Sequence, residues 1–488
     1  MIPAAQAEVA AFLAGLAGAD PVETHISAVF LGTDTVWKLK KAVRLPFLDF
    51  TRATERRRFL LRELALNQRW APGLYRDVAA VARREGGLVL DPAAEDGVDW
   101  VLRMARAPTG AFLDRMAAEG RLTPAVLLAV ADMVAEMHLA LPPAVVPDPA
   151  GRMRIVADGN GQAALASGLP AAAVVQWLDG VLAAIGARAE LLRGRAASGL
   201  VRRAHGDLHL GNLLMWEGRP APFDALEFDE GLATIDLGYD LAFLLMDLER
   251  LVSRAAANLV LGRYVGRTGD AGLVGALPPF LALRAMVRAH VAASRGEDGS
   301  GYLDAALGYL RPGAPVVVAV GGLMGTGKTT LARALAPQLG PAPGALVVRS
   351  DEARKRLHGM RPEERLPPEA YAAEGNRRTD AALLDGVRSA VKGGHAVVVD
   401  ATFLDPVLRA AIAEAARAAG VPFLGVWLQA PLDILERRIL ARRDDASDAS
   451  VAVLRAVGTR APPEGWRVVD ARDADVALAE VQNALRDV

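Results

Sequence analysis

Residues 322–329 read Gly-Leu-Met-Gly-Thr-Gly-Lys-Thr, the pattern G-x-x-x-x-G-K-T. Chemistry of one kind follows from these types at this spacing. Gly322, Gly325 and Gly327 let successive backbone N–H groups converge on phosphate oxygens. A helical stretch opens at Thr330, and its N-terminus adds positive partial charge. Lys328 can reach β- and γ-phosphates, and the Thr329 hydroxyl can ligate magnesium. Thr326 and Thr330 belong to the same turn. The implied ligand is ATP or GTP with Mg2+.

Acidic and cationic residues stand where a phosphoryl-transfer site would use them. Asp351 follows one apolar run and Asp400 ends the next. At strand C-termini a carboxylate can take a hydroxyl proton or hold magnesium through water, although an Asp there is also a common helix cap. Farther on, Glu436-Arg437-Arg438 and Arg442-Arg443 place guanidinium groups on one helical face, suited to phosphate charge or simply to solvent.

A second constellation is Ala204-His-Gly-Asp207-Leu-His-Leu-Gly-Asn212. The spacing Asp-x-x-x-x-Asn sets a candidate base, Asp207, beside a candidate metal ligand, Asn212, as in protein-kinase catalytic loops. A hairpin-like stretch follows with Asp224, Glu227 and Asp229. In a regular strand Asp224 and Glu227 point to opposite faces, so only one is expected at a metal. The count from Asn212 favours Asp224, the count back from Asp240 favours Glu227, and both stay open with a lean to Asp224.

Three zones must position these groups. Short strands are expected at 28–31, 35–40, 78–82, 88–90 and 100–104, with a helix over 54–70. From 109 to 310 the pattern is helical, interrupted by a strand-like island over 212–228. From 316 onward apolar runs at 316–320, 345–348, 396–399, 423–428 and 467–469 alternate with helical stretches, the mark of a parallel sheet covered by helices. The expected organisation is 1–108, 109–310, a linker at 311–315, and 316–488.

Composition narrows the class. The 488 residues carry a formal net charge of −1, so no basic excess favours a nucleic-acid surface. There is no cysteine, which excludes disulfides and thiolate catalysis and fits a reducing compartment. The first twenty residues lack the basic start of a signal peptide, and no window reads as a membrane span. A cytoplasmic location without a membrane partner is expected; oligomeric state is not legible.

From about 315 onward, the loop 322–329 with Ser350-Asp351-x-x-Arg354 resembles the P-loop kinases that include polynucleotide 5′-kinases and zeta-type toxins. The resemblance implies Asp351 as base, Arg354 as a substrate contact, and Arg438 or Arg442 as a lid arginine. Over roughly 20–310, His209-Leu-Gly-Asn212 and Tyr239-Asp240-Leu-Ala resemble the aminoglycoside phosphotransferase-like kinases, which include choline and homoserine kinases. That resemblance implies a bilobal kinase fold. Lys38 or Lys40, with Lys38 favoured, would bind phosphate, Glu63 would pair with it, and 102–108 would line the adenine pocket. No G-x-G-x-x-G loop precedes Lys38; Glu23-Thr-His-Ile-Ser27 stands there instead.

The expected fold class is multidomain, α+β and α/β: a protein-kinase-like fold followed by a P-loop parallel sheet. The expected function is transfer of a γ-phosphoryl group to hydroxyls of small molecules, by both halves. Two other readings stay open. The P-loop half could act on a nucleic-acid or nucleotide 5′-hydroxyl, or one half could be a pseudokinase or ATP-switch module for the other.

Overall fold

The computed structural model describes residues 1–45, 48–441 and 446–487. By backbone packing the chain forms two units. The first comprises Met1–Thr123, Ala140–Ala144 and Val201–Asp240; the second comprises Pro124–Leu139, Val145–Leu200 and Leu241–Val488.

The first unit is built on a six-stranded sheet. Its strands are β1 (Val22–Glu23), β2 (Ser27–Leu31), β3 (Thr35–Lys40), β4 (Tyr75–Arg84), β5 (Gly87–Asp91) and β6 (Asp99–Ala105), in the order β1-β2-β3-β6-β4-β5. All neighbours are antiparallel. Alternation along each strand divides the sheet into two faces. Ala28, Phe30, Leu39, Ala79, Val81 and Val101 pack on Val9 and Leu13 of the helix Ala7–Ala17. Val78, Ala80, Trp100 and Leu102 pack on Leu60 of α1 (Ala53–Asn67). Lys38 and Lys40 lie on the strand between these groups, and both reach α1 through Glu63.

Beside the paired two-residue strands Arg44–Leu45 and Leu48–Asp49, this unit holds four further short strands: β7 (Val201–Arg203), β8 (Leu213–Trp216), β9 (Arg219–Pro222) and β10 (Thr234–Asp236). β8 and β9 form a hairpin, and β10 pairs with β7. The strand-like island expected over 212–228 therefore ends at Pro222. The backbone beyond it is irregular, and Asp224 takes a φ of 59°, which interrupts the two-residue period.

The second unit contains most of the helices between 124 and 310 together with a five-stranded sheet. Its strands are β11 (Val317–Gly322), β12 (Leu346–Arg349), β13 (Val397–Asp400), β14 (Phe423–Gln429) and β15 (Arg467–Asp470). All are parallel, in the order β12-β13-β11-β14-β15. Val318, Val320, Val398 and Val426 are fully buried, as expected of strands covered on both faces. The central β11 has β13 on one side and β14 on the other, so the chain after it enters the crevice where a doubly wound sheet binds ligands. Among the described residues no single helix is long and apolar enough to cross a membrane.

Two candidate phosphoryl-transfer sites

In the second unit, β11 leads into the loop 322–327, and α2 (Lys328–Leu335) begins at the lysine. Gly325 has a φ of 84°, and a Cβ on it would lie 2.7 Å from the Leu435 carbonyl oxygen, so only glycine fits. The Lys328 ammonium donates to the Leu323 carbonyl at 3.0 Å and thus lies over the loop. Thr326 closes the turn by donating to the same carbonyl at 2.8 Å.

The Thr329 hydroxyl donates to Asp400 Oδ2 at 2.6 Å. A hydroxyl that gives its proton to a carboxylate keeps its lone pairs for a cation. Mg2+ takes few protein ligands and completes its shell with water and phosphate oxygens. A threonine hydroxyl with one buried carboxylate fits that habit. Among the described residues there is no cluster of three or more His, Cys, Asp or Glu that could hold a metal by itself.

A cavity of about 1300 Å³ opens from the loop. Its lining includes Lys328, Thr329, Asp351, Arg354, Asp400 and Arg438. Asp351 stands in the first turn of α3 (Ser350–Leu357). Arg354, one turn on, is buried, donates to the Ala370 carbonyl at 2.8 Å, and stacks 4.8 Å from the Tyr371 ring centre. Arg438 donates to the carbonyls of Ala471 and Arg472 at 2.8 and 2.9 Å, so it ties the helix Leu432–Ala441 to the loop after β15. Arg442 lies outside the described residues.

Sequence reasoning assigned no role to Asp448, Lys355 or Tyr371. Asp448 accepts from Lys355 Nζ at 2.9 Å, from the Tyr371 hydroxyl at 2.7 Å and from the Leu366 backbone N–H at 3.1 Å. Burial works against its charge, but these donors outweigh it and hold the carboxyl below its usual range. Burial, with Asp448 beside it, pushes the Tyr371 phenol well up.

The first unit assembles the other constellation. Lys38 Nζ donates to Glu63 Oε1 at 2.7 Å and Asp224 Oδ1 at 2.6 Å. Lys40 Nζ donates to Glu63 Oε2 at 2.9 Å and Glu227 Oε1 at 2.5 Å. Both acidic residues after the hairpin thus turn to the lysines, contrary to the opposed faces expected of a regular strand; the positive φ at Asp224 is the reason. They differ in exposure. The Asp224 side chain is 43% exposed and that of Glu227 5%. Lys38 is 13% exposed and Lys40 fully buried. The accessible pair is Lys38 with Asp224.

Burial opposes the charge on both lysines, but the surrounding carboxylates overcome it and hold their pKa values above the usual lysine range. Burial likewise opposes ionisation of Glu63, yet the two ammonium groups bring its pKa down to about 2. Burial pushes Glu227 up against the pull of Lys40. Three carboxylates face two ammonium groups here, a balance that suits one added cation.

The loop before the hairpin is held by residues remote in sequence. Asp240, fully buried, accepts the N–H groups of His205 and Gly206 at 3.0 and 2.9 Å. His205 Nδ1 accepts the Asp207 N–H, which leaves Nε2 to donate to the Phe223 carbonyl at 3.0 Å. Burial lowers its pKa, so the ring stays neutral at pH 7. Asn212 Nδ2 donates to Asp207 Oδ2 at 2.9 Å and to the Asp207 carbonyl at 3.0 Å. Asp207 stays 40% exposed. Tyr75 and Asn67, unmarked in the sequence, fix the acidic segment: the Tyr75 hydroxyl accepts the Asp224 N–H at 2.9 Å, and Asn67 Oδ1 accepts the Ala225 N–H at 3.0 Å. Where a glycine-rich loop would lie, Thr24 closes a tight turn onto Ser27.

The protein-family model described as "AAA domain" matches residues 317–462. An uncharacterized protein of Mycobacterium tuberculosis (strain ATCC 25618 / H37Rv) is 29% identical over 459 residues, 90% of each chain. Among solved structures, a choline/ethanolamine kinase family protein from Mesorhizobium loti covers 63% of this chain and 93% of its own, at 17% identity and a TM-score of 0.39. A sugar kinase from Janibacter sp. HTCC2649 covers 35% of this chain and 95% of its own, at 18% identity and a TM-score of 0.28. In its sheet orders and its phosphate loop, the chain joins a domain built on a six-stranded antiparallel sheet to a parallel-sheet P-loop domain, and the family model matches the second of these.

Proposed function

We propose that the protein is an ATP-dependent phosphotransferase with two nucleotide sites, each passing a γ-phosphoryl group to a hydroxyl of a small molecule. One observation carries the reading furthest. Thr329 is bonded to Asp400 at the mouth of the phosphate loop, and Asp351 lines the same cavity. A candidate metal-binding pair and a candidate base thus share one chamber.

At the P-loop site, the loop amides and Lys328 cradle the nucleotide phosphates. Thr329 and Asp400 would hold Mg2+, which would supply positive charge to the nucleotide phosphates. Asp351 accepts the acceptor's hydroxyl proton as the new O–P bond forms and the bond from γ-phosphorus to the bridging oxygen breaks, releasing ADP. Arg354 contacts the acceptor and Arg438 the nucleotide side. Positioning and charge neutralisation supply most of the rate.

At the N-terminal site, Lys38 holds phosphate with Glu63 behind it, Asp207 is the base, and Asn212 with Asp224 holds Mg2+. Glu227, buried against Lys40, positions the segment instead of binding metal. The tight turn at Thr24–Ser27 favours a second reading for this half, a nucleotide-sensing module with slow or no turnover.

Incubation of the full chain with γ-labelled ATP and a metabolite extract tests both halves. Wild type, Asp207→Ala and Lys328→Ala are compared. Loss of a different labelled product in each variant supports two active sites. Loss only in Lys328→Ala assigns catalysis to the P-loop half. Absence of both labelling and ATP hydrolysis in wild type overturns the proposal.

A further inference from the structure

Arg349 is the last residue of β12 and stands in register with Asp400 on β13. Its guanidinium is 5% exposed. Nε donates to Asp400 Oδ2 at 3.1 Å, Nη2 to Thr329 Oγ1 at 3.1 Å, and Nη1 to Glu352 Oε1 at 2.7 Å. One buried cation therefore touches both groups that would hold magnesium. The Thr329 proton is already committed to Asp400, so Nη2 takes one of the hydroxyl's two lone pairs and leaves the other to a metal.

Glu352 is the counter-charge on the far side. It is buried, in the first turn of the helix that carries Asp351. Its position is set from outside the P-loop sheet. The helix Arg254–Thr268 packs on it, and a Cβ placed on Gly266 would lie 2.5 Å from Glu352 Oε2. The atom met is the tip of a side chain, so a methyl group there displaces the carboxylate without requiring the backbone to move.

We infer that Arg349 is a positioning residue that sets the metal affinity of the P-loop site, by holding Thr329 and Asp400 in place and giving way toward Glu352 when the divalent cation binds. The inference rests on the reading of this site as a Mg2+–nucleotide site. Arg349 stands between Asp400 and Glu352, and Glu352 also feels the charges of Arg263 and Arg356. The guanidinium opposes the metal by like charge, and Glu352 draws it aside. Through Gly266, the helical segment of the same unit has a direct hand on that balance.

The test measures metal binding instead of turnover. Mn2+ is titrated into full-length protein with saturating ADP and followed by electron paramagnetic resonance, with Lys328→Ala as the blank for this site. Arg349→Met is expected to tighten Mn2+ binding about tenfold, because a nearby like charge is gone. Glu352→Gln is expected to weaken it about fivefold, because the group that draws the guanidinium aside loses its charge. Gly266→Ala should follow Glu352→Gln, and Arg349→Lys should stay near wild type. A merely structural Arg349 predicts weaker or unchanged binding in Arg349→Met, and that result in a cooperatively unfolding variant overturns the inference. Should Arg349→Met fail to fold, unchanged affinity in both Glu352→Gln and Gly266→Ala overturns it. No Mn2+–ADP binding by wild type above the blank removes the magnesium–nucleotide reading itself, and the inference with it.

Discussion

The hydroxyl of Thr329 donates to the carboxylate of Asp400 across 2.6 Å, although 71 positions separate the two residues. Parallel pairing of β11 with β13 brings them together, since Val320 stands opposite Asp400. Asp400→Asn keeps the shape of the pair and removes its charge. It is expected to lower Mg2+-dependent nucleotide affinity at this site by about 10–100-fold, on the scale of losing a group that orients a metal ligand. Calorimetric titration of ADP with and without Mg2+ checks this; an unchanged magnesium dependence would rule the pair out as the metal site.

Lys38 and Lys40 share Glu63 but differ in what their loss exposes. Lys38→Met removes the accessible ammonium and should abolish nucleotide binding at the N-terminal site with a modest loss of stability. Lys40→Met leaves Glu63 and Glu227 short of a buried partner and is expected to cost about 3–5 kcal/mol of folding stability. Denaturant unfolding beside nucleotide titration separates the two effects.

Asp207 stands exposed beside Asn212, with its backbone fixed through His205. Asp207→Asn is expected to lower turnover of the N-terminal site by about 10²–10⁴-fold, the range of a lost general base, with little change in nucleotide affinity. Equal labelling by wild type and variant would favour the nucleotide-sensing reading of this half.

Asp351 is expected to affect the rate and not the nucleotide. Asp351→Asn should reduce product formation at the P-loop site by about 10²–10⁴-fold while ADP binds as tightly as in wild type. A parallel loss of ADP affinity would instead place Asp351 at the metal.

His395, fully buried ahead of β13, donates from Nε2 to the Gly344 carbonyl at 2.9 Å. Burial brings its pKa down from 6.5 to about 4. The unfolded chain therefore takes up this proton below about pH 6.5, while the folded chain resists until about pH 4. The contribution is fully present above pH 6.5 and shrinks as pH falls, by about 2 kcal/mol at pH 5. Thermal unfolding between pH 7.5 and 4.5 should show this slope in wild type and a flatter one in His395→Gln.

Much of the fold is legible without coordinates, because apolar runs and their periods are local. The five strands of the parallel sheet fall within a residue or two of the runs read at 316–320, 345–348, 396–399, 423–428 and 467–469. Strands at 28–31 and 35–40 are equally plain, since alternating burial writes itself into the residues. The segment after Pro222 was not legible. A single left-handed residue, Asp224, abolishes the alternation from which its facing was read.

The sites divide along the same line. The phosphate loop is determined by the sequence alone, because eight consecutive residues carry both the glycine conformations and the groups that contact phosphate. The catalytic-loop spacing of Asp207 and Asn212 is local in the same sense. Only the tertiary structure decided that Lys40 is spent on Glu227, 187 positions away, and that Arg349 bridges Thr329, Asp400 and Glu352. Those pairings depend on strand order and on which charges are buried together, and no spacing along the chain encodes either.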